Sequence, residues 1–424
     1  MKKQLGAGAV VVKILAPLLL LASTFPYVQI VPSSGYTQPY ALFVGLILFV
    51  FCFGVVFQWR KYDQIAIAGL GFVGVMLYII TCLPYDNPLE YQYLLTYLSP
   101  LLMVPGFVAV IQHKTRQTIL ILQGSIVIWL FVSIIQLLIN PEFATSFLGE
   151  WGNSATDIVL SGRGVLGLAP EPTHNAFHTL LLGAALALLD SSKISRFLVF
   201  GCIGSAVVLA ASSSAALILL ASTLIWLMRY KTLWGIALVL IGLSFLAVLS
   251  SLLQLMGDTD SRLISLMKEA IEDPATFLVI DHSVNMRLGG LWAVLSDSIR
   301  SGLQPHGLSH DTWLQARTEI LKTYDWLLDL SLTGPPSGFG LLLFQGGILV
   351  LPFLFMFIHR LFVNQPRNLL GQIILIAVPL IFLSQFYISA PLFSLIYACA
   401  LYRQRWNDIA VQQAYPTRSL KLNS

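Results

Sequence analysis

TILILQGSIVIWLFVSIIQLL, residues 118–138, is the stretch that decides the architecture. Its 21 residues include no Asp, Glu, Lys or Arg. A helix of that length matches the roughly 30 Å hydrocarbon core of a bilayer, which takes about 20 apolar residues to cross. Residues 93–112 read the same way, and the pattern recurs along the chain. Twelve segments are expected, near 12–31, 39–58, 64–83, 93–112, 118–138, 173–189, 197–211, 213–228, 232–253, 336–358, 369–387 and 388–402. Two pairs, 197–211/213–228 and 369–387/388–402, each contain a short member. Fusing either pair into one helix would reverse the parity of everything downstream.

Composition agrees with this reading. Of the 424 residues, 57% are hydrophobic and only 10% charged, with a mean hydropathy of +0.80. A soluble domain carries about 25% charged residues. The same numbers exclude disorder, collagen-like repeats and a disulfide-rich secreted scaffold. The expected fold class is all-α: a polytopic membrane protein of about 12 transmembrane helices with a large helical loop capping the outer face. The basic start, Met1 to Lys13, reads as part of a retained first span, because no small-x-small cleavage pattern follows it.

Lys and Arg are retained on the cytoplasmic side of short loops. With the N-terminus inside, twelve spans place Lys2, Lys3, Arg60, Lys61, Lys114, Arg116, Lys193, Arg196, Arg229 and Lys231 on that side. Arg360, Arg367, Arg403, Arg405, Arg418 and Lys421 join them. The short outer loops hold only Arg163. A net charge of +4 is too small to imply nucleic-acid binding. Cys52, Cys82, Cys202 and Cys399 lie in apolar stretches without a CxxC pair and read as core residues.

The organisation that follows is 1–253, nine helices with an outer loop at 139–172; 254–335, a large outer helical loop; 336–402, three more helices; and 403–424, a cytoplasmic tail. The large loop holds 11 of the 20 acidic residues, which marks it as solvated. Within it, Ser261 to Ile271, Asn285 to Ile299 and Asp311 to Leu330 have helical apolar spacing, the last with Asp311 as N-cap. Trp292, Trp313, Tyr324 and Trp326 suit a membrane interface.

Chemistry gathers in the outer segments. Glu171 stands between Pro170 and Pro172 at the mouth of the sixth span, with His174 and His178 following. A helix starting at Pro172 or Thr173 puts both histidines on one face. An ionisable cluster there is a functional candidate; an interfacial carboxylate near a helix N-terminus is the alternative. No third ligand has metal-site spacing. Arg163 suits bidentate anion binding or an ion pair with Glu150 or Asp157. Arg287 lies early in an amphipathic helix with Arg300 much further along, while His306 and His310 lie on a turn-rich stretch, as acid–base candidates or as ordinary exposed loop histidines. Ser212-Ser213-Ser214 reads as a turn whose hydroxyls serve freed backbone groups. GxSxG, Walker, HExxH and dinucleotide fingerprints are missing from the sequence.

These residues resemble the O-antigen polymerase (Wzy-type) and O-antigen ligase superfamily of bacterial inner-membrane glycosyltransferases. The resemblance rests on Arg163-Gly164-Val165-Leu166-Gly167 leading to Pro170-Glu171-Pro172-Thr173-His174-Asn175-Ala176, and on Ala211-Ser212-Ser213-Ser214-Ala215-Ala216. It also rests on the run from Arg287 through Trp292 to Pro305 and Gly307, and on Ser337-Gly338-Phe339 with Gln345-Gly346-Gly347-Ile348. It covers about 160–360. Thr173 stands where the family pattern has Ser, and Pro335-Pro336-Ser337-Gly338 replaces the His-Asn pair of ligases, which favours a polymerase.

The resemblance implies a periplasmic-face enzyme of the bacterial inner membrane, and the charge pattern above places both termini on the cytoplasmic side. A glycan on undecaprenyl pyrophosphate is the donor, and a hydroxyl of a second lipid-linked repeat unit attacks its anomeric carbon. Neither a cofactor nor a metal is expected. Partners would be the lipid-linked donor and acceptor, the bilayer, a chain-length regulator and a flippase; no nucleic acid is expected. Arg163 and Arg287 are candidates for the pyrophosphate, with Thr173, Asn175 and Arg300 as further substrate contacts. Glu171 would orient or deprotonate the acceptor, with His174 or His306 as rival base. The competing functions are a ligase and, from another class, a secondary transporter or flippase.

Overall fold

Buried peptide groups need internal partners, and in a chain with this little polar surface helices provide them within one segment. The computed structural model describes residues 6–30, 37–56, 59–83, 87–230, 285–363, 365–366 and 368–414. Among the described residues the regular elements are helices, with no strand. In chain order they are α1 (Gly6–Thr24), α2 (Tyr40–Val56), α3 (Lys61–Thr81), α4 (Pro88–Leu138), α5 (Ala155–Leu160), α6 (Pro172–Leu189), α7 (Lys193–Gly204) and α8 (Ser213–Tyr230). Then come α9 (Gly290–Arg300), α10 (His310–Thr323), α11 (Gly338–Gly346), α12 (Leu351–Val363), α13 (Leu369–Ser384) and α14 (Pro391–Ala414).

Helix α6 is the hub. Every side chain from Asn175 to Leu188 is buried, as expected of a helix apolar on all faces. It packs on α4, α7, α13 and α14, while α4 also contacts α1, α2, α3 and α14. Two helices among the described residues, Lys61–Thr81 and Pro88–Leu138, are long and apolar enough to cross a membrane. The expected total of twelve spans is therefore not supported, and the reasons are physical. The segments 93–112 and 118–138 form one 51-residue run, kinked where Lys114 leaves helical geometry at φ −143° and ψ 44°. Elsewhere the apolar helices are shortened by interruptions. After α7 the chain widens into a π-turn, Ser205–Leu209, and breaks at Ala211 with φ 42°. The segment expected at 336–358 is broken at Gly347, with φ 52°, into α11, a 3-10 turn and α12.

The pair 369–387/388–402 is indeed two helices, and α14 runs on to Ala414 through part of the stretch taken for a tail. The segment expected near 232–253, the helix at Ser261 to Ile271 and the rest of 231–284 lie outside the described residues.

Both interruptions are filled by a preceding loop. Val165 N donates to Leu209 O at 3.0 Å. His306 N and Gly307 N donate to Phe344 O and Gln345 O, and Ile348 N donates to Leu303 O. Gly347 has to be glycine twice over, for its positive φ and because a Cβ there would strike the Leu303 carbonyl oxygen.

The expected helix Asp311–Leu330 is shorter, His310–Thr323, and Asp311 is not its cap. Position Ser309 makes no side-chain cap bond. A carboxylate from another helix caps it instead: Glu90 Oε1 on α4 accepts from His310 N at 3.2 Å. Tyr93 OH donates to Thr333 O, and Leu308 N donates to Thr81 Oγ1 at 2.9 Å. These bonds fasten 306–333 to α3 and α4. Trp313 and Tyr324 do not face outward as expected; they are buried with Ala293, Val294, Ile320, Leu327, Leu330 and Phe344, with Trp326 packed against this small core.

A buried ion pair outside that core ties three helices. Arg360 of α12 makes a two-pronged contact with Asp63 of α3, Nε to Oδ1 at 2.6 Å and Nη2 to Oδ2. Tyr397 OH of α14 donates to the same carboxylate at 3.0 Å.

Gly338 starts α11 against the turn that follows α13, where a Cβ would strike the Phe386 carbonyl oxygen. Because that obstacle is backbone, Gly338→Ala is expected to cost about 1–3 kcal/mol as an overpacked contact. The thermal midpoint of the detergent-solubilised chain measures it, and an unchanged midpoint would show that the two backbones can separate freely.

Candidate functional site

The local sequence forces Glu171 outward from the helix it precedes. A residue before proline is held extended, and Glu171 has φ −141° and ψ 151°. Pro172 then occupies the first helical position, which has no use for an N–H. Glu171 forms no side-chain cap on its own helix. Its carboxylate instead meets Arg287: Nη2 donates to Glu171 Oε2 at 2.8 Å, and Nη1 donates to Thr173 Oγ1 at 3.1 Å. The partners stand 116 residues apart. Both side chains of the ion pair remain partly open, 22% for Arg287 and 36% for Glu171.

Arg287 sits in the π-turn Asn285–Gly289. Asn285 anchors that turn, donating from Nδ2 to Trp326 O at 3.0 Å and accepting at Oδ1 from Leu328 N at 2.9 Å. Gly289 gives the Trp326 ring room, since a Cβ would lie 2.8 Å from Cζ3. The α9–α10 unit thus presents the guanidinium to the mouth of α6.

The loop before Glu171 is equally fixed. Gln136 of α4 accepts from Gly167 N at 2.7 Å and donates to Gly167 O at 2.9 Å and to Phe143 O at 2.8 Å. Asn175 lies beneath it, fully buried, donating to Val165 O and Ser133 Oγ, both at 3.2 Å. Asn175 therefore lies under the loop that carries Glu171, and a Cβ on Gly167 would press into its amide. Gln136→Leu would strip two hydrogen bonds from the buried Gly167 backbone and one from the more open Phe143 carbonyl, a loss of about 1–3 kcal/mol for each buried group orphaned. A lower unfolding midpoint is expected, together with protease cleavage near Gly167; a midpoint equal to wild type would show that the loop does not depend on Gln136.

The remaining candidates separate. His174 and His178 share a face as expected, their rings 5.9 Å and 5.5 Å from Tyr27. His174 Nε2 accepts from Gln385 Nε2 at 2.5 Å. His178 is buried and donates to Thr24 O at 2.9 Å, beside Trp129. Arg163 is exposed at the entrance of the loop, with no ion pair to Glu150, Asp157 or Glu171 among the described residues. Arg300 is exposed at the far end of α9, about 20 Å from Arg287 along the axis, its guanidinium 5.4 Å from the Tyr324 ring.

His306 stacks on Phe344 at 4.4 Å and its Nδ1 donates to Phe344 O at 3.1 Å, in the interruption between α11 and α12. His310 Nδ1 lies 3.3 Å from Tyr93 OH. Ser212 Oγ accepts from Ala215 N at 3.3 Å, at the start of α8. No group of three or more His, Cys, Asp or Glu side chains is arranged to hold a metal ion among the described residues.

Of the candidates, Glu171, Thr173 and Arg287 come together, with His174 next to Thr173 in the chain. Gln136, Gln385, Tyr27 and Asn285 support them and escaped the sequence reading. The glutamines carried a signal, each being an isolated amide in an apolar run. The sequence matches no protein-family model and no curated protein.

Proposed function

We propose that the protein is a polytopic enzyme of the bacterial inner membrane that extends lipid-linked glycans at the periplasmic face. The observation that carries this reading is the Arg287–Glu171–Thr173 constellation, two charges and a hydroxyl on partly open ground in a chain with few charges elsewhere. In the proposed topology twelve spans include the interrupted segments, with both termini cytoplasmic. Large exposed apolar side chains such as Phe43, Val50, Phe72 and Phe131 support lipid contact, because a water-facing surface of that kind aggregates.

The chemistry follows from the resting ion pair. A lipid pyrophosphate entering the site competes with Glu171 for the guanidinium, whose fork suits a doubly anionic oxygen cluster. The displaced carboxylate is then free to accept a hydrogen bond from the acceptor hydroxyl. That oxygen attacks the anomeric carbon, its proton passes to Glu171, and the carbon–oxygen bond to pyrophosphate breaks. The electron pair stays on the leaving oxygen, where Arg287 stabilises it. Thr173 fixes the second guanidinium nitrogen.

Deleting the gene in its host and analysing surface glycan by gel and lipid-linked glycan by mass spectrometry tests the proposal. Single repeat units on lipid, with long chains lost, are expected. Finished polymer stranded on lipid would instead make the protein a ligase. A transport reading draws on the interrupted helices, since unwound segments line many transporter sites; an unchanged glycan profile would favour it.

A further inference from the structure

Helix α9 is apolar on two faces, and the core uses only one of them. Gly290, Ala293, Val294 and Ser298 point inward and are buried. Leu291 lies over Gly340 of α11, and Pro336 lies over Gly290. The other face carries Trp292, Leu295 and Ile299, with Leu288 of the preceding π-turn in line with them, spaced four, three and four residues apart, close to the repeat of a single helical stripe. Leu288 is 43% exposed, Trp292 64% and Ile299 67%. Leu328 extends the patch: it is exposed, and its backbone N is bonded to Asn285 at the foot of the stripe. No acidic residue lies on the stripe, and arginines stand at its two ends, Arg287 one residue before Leu288 and Arg300 one residue after Ile299.

We propose that this face of α9 lies in the headgroup–acyl boundary of the outer leaflet and that it sets the depth of Arg287. The inference rests on the membrane reading above. Three observations select a lipid surface as the occupant. The helix carrying the stripe packs on α11, and just beyond α11 the 3-10 turn exposes Ile348 and Leu349 and α12 exposes Phe355; the segment next to the stripe thus also opens apolar surface to the surroundings. Its centre is a tryptophan, the side chain most at home where an apolar ring meets hydrated headgroups. Its far end carries the exposed Arg300, whose charge matches anionic phospholipid. In this arrangement the amphipathic helix holds the first guanidinium at phosphate level, where a pyrophosphate attached to a membrane-embedded lipid resides. Bilayer anchoring thereby aligns the site with its substrate.

The test uses the full chain in vesicles of phosphatidylethanolamine and phosphatidylglycerol. The four native cysteines are buried, so Trp292→Cys and Ile299→Cys accept a thiol-reactive, environment-sensitive fluorophore selectively. Lys322→Cys on α10 serves as the water-facing control, and Phe131→Cys on α4 as the lipid-facing one. A spin-labelled phospholipid is expected to quench emission at positions 292 and 299 about threefold more than at 322, and aqueous iodide to do the reverse. Iodide quenching at 292 and 299 as strong as at 322 would overturn the proposal by placing the stripe in water. Quenching by neither agent would overturn it by showing that protein covers the stripe. If position 131 also escapes the lipid-borne quencher, the membrane reading itself falls; if 131 is quenched and 292 and 299 are not, only the interfacial placement falls.

Discussion

An Arg287→Ala chain is expected to leave its host without long glycan, with transfer reduced about 10²–10³-fold, the usual effect of removing a preplaced charge from a developing oxyanion. The same substitution should hardly alter stability. The Arg287–Glu171 pair is partly open to solvent, and such pairs contribute no more than about 1 kcal/mol. Loss of product with an unmoved unfolding midpoint therefore separates a chemical role from a structural one. Arg287→Lys keeps the charge but not the fork, so it cannot contact Glu171 Oε2 and Thr173 Oγ1 together, and an intermediate rate is expected. Full-length chains in the alanine variant would remove Arg287 from the mechanism.

The largest stability effect is expected at Asp63. The ion pair with Arg360 is almost wholly buried, the side chains retaining 2% and 5% of their exposure. Asp63→Ala deprives a buried guanidinium of its carboxylate and Tyr397 of its acceptor, for a loss of about 3–5 kcal/mol. The detergent-solubilised variant should unfold far below wild type. Replacing both partners, as in Asp63→Leu with Arg360→Met, removes the charge together with its counter-charge and is expected to recover most of that loss. A double variant as unstable as the single one would show that Arg360 has a role beyond the pair.

How much of this was legible in the sequence varies with the range of the interaction. The start of α6 was readable because Glu171-Pro172 fixes the backbone locally. Helical spacing likewise indicated an amphipathic helix over 285–299, and the short pairs at 197–228 and 369–402 were correctly divided. The break at Ala211 was legible in Ser212-Ser213-Ser214, but the interruption at Gly347 was hidden, because apolar runs through a break and through a continuous helix have the same composition; only the partner loop at Leu303 makes that break possible. Both bounds of α10 were misjudged: its start is capped by Glu90 and not by Asp311, and the residues expected to continue it, 324–330, are spent on core contacts. The site was half legible. Glu171, Thr173 and Arg287 were each identifiable as polar groups in sparse surroundings, but nothing local records a contact spanning 116 residues. Gln136 went unnoticed because it is one of five glutamines in the 51-residue α4, and its sequence surroundings do not say which backbone groups it serves.

The borrowed cap on α10 imposes an order on biosynthesis. Glu90 leaves the ribosome 220 residues ahead of the backbone group it serves, and Thr81 and Tyr93 are made at about the same time. The α3–α4 hairpin is thus waiting when residues 306–333 emerge, a template on which the later segment matures. A newly made chain truncated after α10 already has its docking surface in place, whereas residues 285–333 made alone would lack the carboxylate that starts their second helix. Assembly of Arg287 onto Glu171 at the mouth of α6 is then a late event, contingent on the earliest third of the polypeptide having been placed correctly.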